Sequence, residues 1–120
     1  AVQDLAETHG FGVVRELVGH GVGLKLHEKP EVPNFGKKGT GLLMKKGLVI
    51  AIEPMITRGS AKTKVLGDEW TVVSVDQSRG AHFEHSYTIC PDGKPFVLTS
   101  LDGGRAELAR FGVEISELLA

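Results

Sequence analysis

The segment GLVIAIEPMI, residues 47–56, places one charged side chain, Glu53, inside an otherwise apolar run. Its β-branched residues and the flanking Gly47 and Gly59 predict a buried strand, with Pro54 marking an edge or a bulge. A carboxylate in such a strand is costly to bury unless it meets a cation, a proton or several hydrogen bonds. The segment therefore predicts a partner for Glu53 elsewhere in the chain.

The size and charge of the chain narrow its class. A length of 120 residues with 41% hydrophobic content predicts a single domain over residues 1–120. The net charge of −1 gives no field that would attract nucleic acid or an anionic membrane, so we expect neither as a partner. A single cysteine, Cys90, excludes an internal disulfide, and no segment has the pattern of a signal peptide or a transmembrane helix. We expect a cytoplasmic protein.

The first part of the sequence predicts a short helix followed by loops. Apolar residues recur at helical spacing in the first nine residues, and Gly10 stands where a glycine ends a helix. The glycine-rich segment GHGVG, residues 19–23, predicts a sharply bent loop. Residues 27–47 are rich in Pro, Gly and Lys and predict a surface loop.

The second part predicts a hairpin, a short strand and a terminal helix. WTVVSVD (70–76) and AHFEHSYTIC (81–90) are separated by QSRG and predict a hairpin, with Glu84 in mid-strand on a polar face. FVLTS (96–100) predicts a last strand. Apolar residues at spacings of three and four predict a helical tail within residues 101–120.

Four polar residues from separate segments stand out: His20, His27, Glu53 and Glu84. One imidazole and two carboxylates suit a divalent transition metal such as Zn, Fe, Co or Mn. Their spacing matches no local metal signature, so ion pairs with arginines and structural histidines remain alternative interpretations. The other histidines, His9, His82 and His85, are interpreted as structural or surface residues, and Trp70 as a packing residue.

Two other kinds of chemistry are poorly supported. GHGVG does not match the dinucleotide-binding pattern G-x-G-x-x-G, and no G-K-[ST] follows it. No G-x-S-x-G is present, and Cys90 precedes Pro91 without an evident base. Neither nucleotide binding nor a serine or cysteine hydrolase is therefore expected.

Several motifs in order give a more specific indication. GHGVG, LHEKP, a Pro-Asn loop, MKKGLVIAIEPM, DEWTVVSVDQSRGAHFEH and YTIC together resemble the C-terminal half of a type I methionine aminopeptidase, over roughly residues 10–99. The resemblance implies an α+β fold that is half of the pita-bread fold, with a curved antiparallel sheet backed by helices. The helical tail, residues 101–120, extends beyond what this family needs.

The resemblance also implies site residues. His20 and Glu53 match ligands of one metal ion, and Glu84 matches a carboxylate that bridges two ions. His27 matches the catalytic imidazole that meets the scissile carbonyl, and Glu53 a carboxylate that relays a proton. Trp70 and Leu26 match residues that line the mouth of the site or the methionine pocket.

The implied reaction is removal of the N-terminal initiator methionine from nascent proteins by a hydrolase with two divalent ions, Co, Mn, Fe or Zn. The ribosome is implied as a further partner. Two aspartate ligands and a histidine of the family's N-terminal half have no counterpart here. We therefore expect the isolated chain to be inactive or nearly so, and to pair with the N-terminal half or with a second copy.

Two other readings stay open. Xaa-Pro aminopeptidases and prolidases share the fold and similar G-H-G-x-G and H-E-x-P patterns, although Trp70 and the short interval between His20 and Glu53 favour the methionine enzymes. A non-catalytic binding module derived from the same fold is the third interpretation, and the joint presence of His20, His27, Glu53 and Glu84 speaks against it.

Overall fold

The computed structural model describes residues 1–119 and contains short strands with two short helices. In chain order the elements are α1 (Val2–Thr8), β1 (Gly12–Val13), β2 (Gly19–Gly21), β3 (Glu28–Val32), β4 (Val49–Ile52), β5 (Met55–Thr57), β6 (Thr63–Val65), β7 (Val72–Ser74), β8 (Gly80–His82), β9 (His85–Ile89), β10 (Pro95–Val97) and α2 (Arg105–Ala109). None of the helices in the described residues is long and apolar enough to span a bilayer.

The chain forms two compact units. The first unit consists of Ala1–Gly19, Pro33–Thr40 and Glu53–Glu84. It contains an antiparallel sheet with strand order β1-β5-β8 and a two-stranded antiparallel ribbon of β6 and β7. Its buried apolar residues include Val13 of β1, Val14 directly after that strand, and Met55 of β5.

Helix α1 ends as its sequence predicts. Gly10 has a φ of 76°, which a glycine adopts without steric cost. The amide of Gly10 donates to the carbonyl of Glu7, and that of Phe11 to the carbonyl of Ala6. These two bonds form a Schellman motif, which satisfies the last carbonyls of a helix. The predicted helix and its end at Gly10 are confirmed.

The second unit consists of His20–Val32, Gly41–Ile52 and the residues from His85 onward. Its five-stranded sheet has the order β10-β9-β4-β2-β3, and the pairs β10 with β9, β9 with β4 and β4 with β2 are antiparallel. Cys90, Phe96 and Ile115 form a buried cluster against which Leu108 packs. Strand β3 lies within residues 27–47, where only a surface loop was expected.

The strand predicted over residues 48–56 is interrupted. β4 ends at Ile52, β5 begins at Met55, and the two belong to different sheets. Pro54 has no N–H to donate to a ladder, so regular pairing breaks at this point. In place of the edge or bulge expected at Pro54, the strand breaks there, directly after Glu53.

The hairpin predicted between residues 70–76 and 81–90 is wrong. β7 pairs with β6, β8 pairs with β5, and β9 pairs with β4. A local turn over residues 66–71 explains the pairing of β6 with β7, because Asp68 accepts hydrogen bonds from the amides of Trp70 and Thr71. The loop that joins β6 to β7, residues 66–71, is longer than the predicted loop QSRG, so loop length does not account for the change of partner.

The C-terminal tail is helical over a shorter stretch than predicted. Helix α2 covers Arg105–Ala109, and Gly112, with a φ of 68°, then reverses the chain. The amide of Val113 donates to the carbonyl of Leu108, and that of Gly112 to the carbonyl of Ala109, which is a second Schellman motif. Beyond it the chain is not helical in the described residues, and the amide of Ser116 donates to the carbonyl of Pro95 beside β10. Ala120, within the predicted tail, lies outside the described residues.

Candidate metal centre

Two carboxylates of the first unit face each other. In the ladder of β5 and β8, Met55 is opposite His82, and the amide of Phe83 donates to the carbonyl of Pro54. Extending this register by one more residue places Glu53 opposite Glu84. A carboxylate oxygen of Glu53 and one of Glu84 lie within 4.8 Å of each other. Like charges directly opposite on paired strands are destabilising, so this pair favours a cation between them.

Glu53 is held by two neighbours of the first unit. Its side chain is 12% exposed, and its Oε2 lies 3.2 Å from Nε2 of His82. Its main-chain carbonyl accepts a hydrogen bond from Nδ2 of Asn34 over 3.0 Å. Asn34 is buried, at 5% exposure. The glutamate next to the strand break is therefore fixed both at its backbone and at its carboxylate.

The two predicted site histidines lie together in the second unit. His20 is on β2, opposite Ala51 of β4. The rings of His20 and His27 are edge to face, with centroids 4.2 Å apart. Nδ1 of His20 lies 2.9 Å from the carbonyl oxygen of Gly21, and a carbonyl can only accept, so Nδ1 carries the proton. In the neutral ring Nε2 is then the nitrogen with a lone pair, as a metal ligand requires.

The two residues predicted to line a substrate pocket are both exposed. Trp70 is 87% exposed and Leu26 is 72% exposed. Trp70 stands on the turn between β6 and β7, where Asp68 accepts from the hydroxyl and amide of Thr71 and from the amide of Trp70. These bonds, led by that from the Thr71 hydroxyl, lower the pKa of Asp68 below its ordinary value. The turn that Asp68 stabilises therefore leaves the indole of Trp70 exposed to solvent.

Two residues that contact Glu53 were not predicted from the sequence. His82 was interpreted as a structural or surface residue, yet it contacts Glu53. The period-two alternation that put His82 on the face of Glu84 was the available signal. Asn34 gave no signal, because a Pro-Asn loop is equally typical of an exposed turn.

The donor set fits a divalent metal. Carboxylate oxygens bind Zn²⁺ at about 2.0–2.2 Å and imidazole nitrogen at about 2.0–2.1 Å, so two ligands of one ion stand about 3–4 Å apart. The separation of at most 4.8 Å between oxygens of Glu53 and Glu84 is close to this range. The tautomer that the Gly21 carbonyl selects for His20 is the one that leaves Nε2 able to coordinate.

Comparison with known proteins agrees with this chemistry. The profile of metallopeptidase family M24 matches residues 1–91. The chain therefore belongs to metallopeptidase family M24.

Its relatives narrow the comparison further. It is 51% identical over 98 residues to the methionine aminopeptidase of Clostridium perfringens, an alignment that covers 82% of this chain and 39% of that protein. It is 50% identical over 93 residues to methionine aminopeptidase 1 of Bacillus subtilis, covering 78% of this chain and 38% of that protein. The resemblance to methionine aminopeptidases is confirmed.

Solved structures give the same answer for the fold. The methionine aminopeptidase of Thermotoga maritima matches with a TM-score of 0.79 and 47% identity, over 82% of this chain and 39% of that one. That of Rickettsia prowazekii matches with a TM-score of 0.77 and 41% identity, over 82% and 40%. The α+β class and the assignment to half of a pita-bread fold are confirmed. The chain spans about two fifths of the length of these relatives.

Proposed function

We propose that His20, Glu53 and Glu84 ligate a divalent metal in an aminopeptidase that removes the N-terminal methionine from nascent polypeptides. The observation that carries the proposal is the opposed pair of Glu53 and Glu84, whose carboxylate oxygens lie within 4.8 Å of each other. Opposed carboxylates repel each other, and a cation bound between them would offset this repulsion. Membership of family M24 favours the cation.

His20 is included as the third ligand because the family resemblance implies it. The bond from Nδ1 of His20 to the Gly21 carbonyl would keep Nε2 as the coordinating nitrogen. Two ions in the complete protein, with Co, Mn, Fe or Zn as candidates, follow from the family resemblance.

Each side chain then has a chemical role. Divalent ions in such a site supply Lewis acidity toward the scissile carbonyl and make water nucleophilic at neutral pH. Glu53, largely shielded from solvent, would accept the proton of the attacking water and pass it to the leaving amine. His27, exposed and set edge-on to His20, would donate from its ring N–H to the carbonyl oxygen of the substrate.

The substrate and its surroundings follow from the same assignment. Trp70 and Leu26 each present a large apolar side chain to solvent, and each is a candidate contact for the methionine side chain of the substrate. Nascent chains are made in the cytoplasm, so we assign the protein to that compartment and the ribosome as a neighbour during the reaction.

The test compares two peptides as substrates of the purified full-length protein. Purified protein loaded with Co²⁺ or Mn²⁺ is given a Met-Ala peptide and an Ala-Pro peptide of the same length. We expect release of methionine from the first and no cleavage of the second. His27→Ala should lower kcat by about 10²–10⁴-fold, as for loss of an acid–base group. Preferential cleavage of Ala-Pro would replace the assignment with an Xaa-Pro aminopeptidase, and cleavage of neither would favour a binding module.

A further inference from the structure

His82 has a geometric relation to both carboxylates of the first unit. It precedes Glu84 by two residues, so the two side chains share a face of the extended chain. Because Glu53 is opposite Glu84 in the register of β5 and β8, His82 is the diagonal neighbour of Glu53 on that face. Diagonal neighbours are within reach of long side chains, and here Nε2 of His82 lies 3.2 Å from Oε2 of Glu53.

We propose that His82 is a positioning residue, whose Nε2–H donates to Oε2 of Glu53 and fixes the plane of that carboxylate for metal coordination. The inference rests on the proposed function, because it assumes that Glu53 is a ligand. Partners that hydrogen-bond to a ligating carboxylate fix its orientation and contribute to metal affinity. The contact distance lies within the range of an N–H···O hydrogen bond.

The proposed role needs only a proton on Nε2. Both the charged ring and the neutral tautomer protonated at Nε2 provide it. A side-chain amide of similar length offers the same kind of donor without an imidazole. Glutamine in place of His82 should therefore preserve the positioning of Glu53, whereas alanine, which has no donor, should not.

Glu53 is then held at two points with different consequences. Asn34 bonds to its main-chain carbonyl, which fixes the path of the chain beside Pro54. His82 contacts the carboxylate itself, and His82 is 49% exposed, so its removal leaves no large cavity. Loss of His82 should consequently weaken metal binding much more than it destabilises the fold.

The test is a calorimetric titration of the protein with Co²⁺, together with the visible absorption spectrum of the Co²⁺ complex. The variants are His82→Ala, His82→Gln and, as a matched histidine control, His9→Ala. His9 is exposed at the end of α1, where its Nδ1 meets the carbonyl of Leu5. We expect His82→Ala to weaken Co²⁺ binding by about 10–100-fold and to change the spectrum. His82→Gln should restore most of the affinity, and His9→Ala should bind as the parent does.

The outcomes distinguish a failure of the role of His82 from a failure of the proposed metal site. Parent-like affinity and spectrum in His82→Ala would overturn the role of His82 and leave the metal site intact. Affinity in His82→Gln as weak as in His82→Ala would overturn the donor role, since it would show that the imidazole itself is required. Failure of the parent protein to bind Co²⁺ would overturn both this inference and the proposed metal site. Urea unfolding of each variant shows whether a loss of binding is a loss of fold.

Discussion

Asn34 donates a hydrogen bond from Nδ2 to the main-chain carbonyl of Glu53 over 3.0 Å. Asn34 is buried, and Glu53 lies between the end of β4 and the start of β5. A side chain thus holds the backbone at a point where Pro54 interrupts the ladder. The bond links the Pro-Asn loop to the residue that we propose as a metal ligand.

Asn34→Ala and Asn34→Asp both remove this donor. The aspartate also places a second hydrogen-bond acceptor against the carbonyl oxygen of Glu53. We expect the free energy of unfolding to fall by about 1–3 kcal/mol in Asn34→Ala, the cost of losing a buried hydrogen bond, and by more in Asn34→Asp at pH 7. Urea denaturation at constant salt measures both values. A stability equal to that of the parent in both variants would show that the bond contributes nothing to the fold.

The packing of the tail gives a second prediction. Ile115 is 4% exposed and packs in the cluster with Cys90 and Phe96, whereas Leu118 is 60% exposed. Ile115→Ala should lower the free energy of unfolding by about 2–5 kcal/mol, because it removes buried apolar volume. Leu118→Ala is the matched control and should have little effect. Equal effects of the two changes in urea denaturation would contradict the observed position of the tail.

Gly21 should tolerate no side chain. A Cβ there would collide with the main-chain carbonyl of Lys29, whereas a Cβ on Gly67 would meet nothing within 4 Å. Gly21→Ala should lower the free energy of unfolding by about 1–3 kcal/mol through overpacking. It should also weaken Co²⁺ binding, because the Gly21 carbonyl sets the tautomer of His20. Gly67→Ala, the control, should change neither quantity in denaturation and calorimetry.

The acid sensitivity of the first unit should depend on Asp76. Its carboxylate accepts from the amides of Ser60 and Ser78, and these bonds, led by that from Ser60, hold its pKa below the ordinary value of 3.8. The unfolded chain therefore binds the proton more tightly than the folded one. The stabilisation is complete above pH about 4 and is lost as the pH falls through the lowered folded pKa.

Urea midpoints measured from pH 6 down to pH 2 test this dependence. The parent should lose stability below pH about 4. Asp76→Asn, which has no carboxyl proton to bind, should lose less over the same interval, although it starts from a lower stability. Parallel curves for parent and variant would show that other groups account for the acid response.

The sequence predicts local features of this fold better than its pairings. The end of α1 at Gly10 is confirmed because a glycine in a Schellman motif is a local signal. The hairpin of residues 70–76 with 81–90 is wrong because strand pairing depends on competing turns, and β7 pairs instead across the turn that Asp68 stabilises. The tail helix is too long because Gly112 was weighed as a weakness within the helix and is its end.

In the candidate site, too, single residues were predicted from the sequence better than the contacts between them. Glu53 stood out because a carboxylate in an apolar strand needs a partner, and His20, His27 and Glu84 were singled out beside it. The opposition of Glu53 and Glu84 could not be derived from the sequence, since it depends on the register of β5 with β8. Asn34 was missed because its contact with Glu53 has no signal in the sequence, whereas the signal for His82, its alternation with Glu84, was not used.

The central claim is that Glu53, Glu84 and His20 hold a divalent ion, and Co²⁺ titration by calorimetry tests it most directly. The parent protein is compared with Glu53→Gln, Glu84→Gln and His20→Ala, and with Glu107→Gln as an exposed glutamate of α2. We expect each of the first three to weaken binding by more than about tenfold and the control to bind as the parent does. Parent-like Co²⁺ affinity in all of the variants would contradict the account.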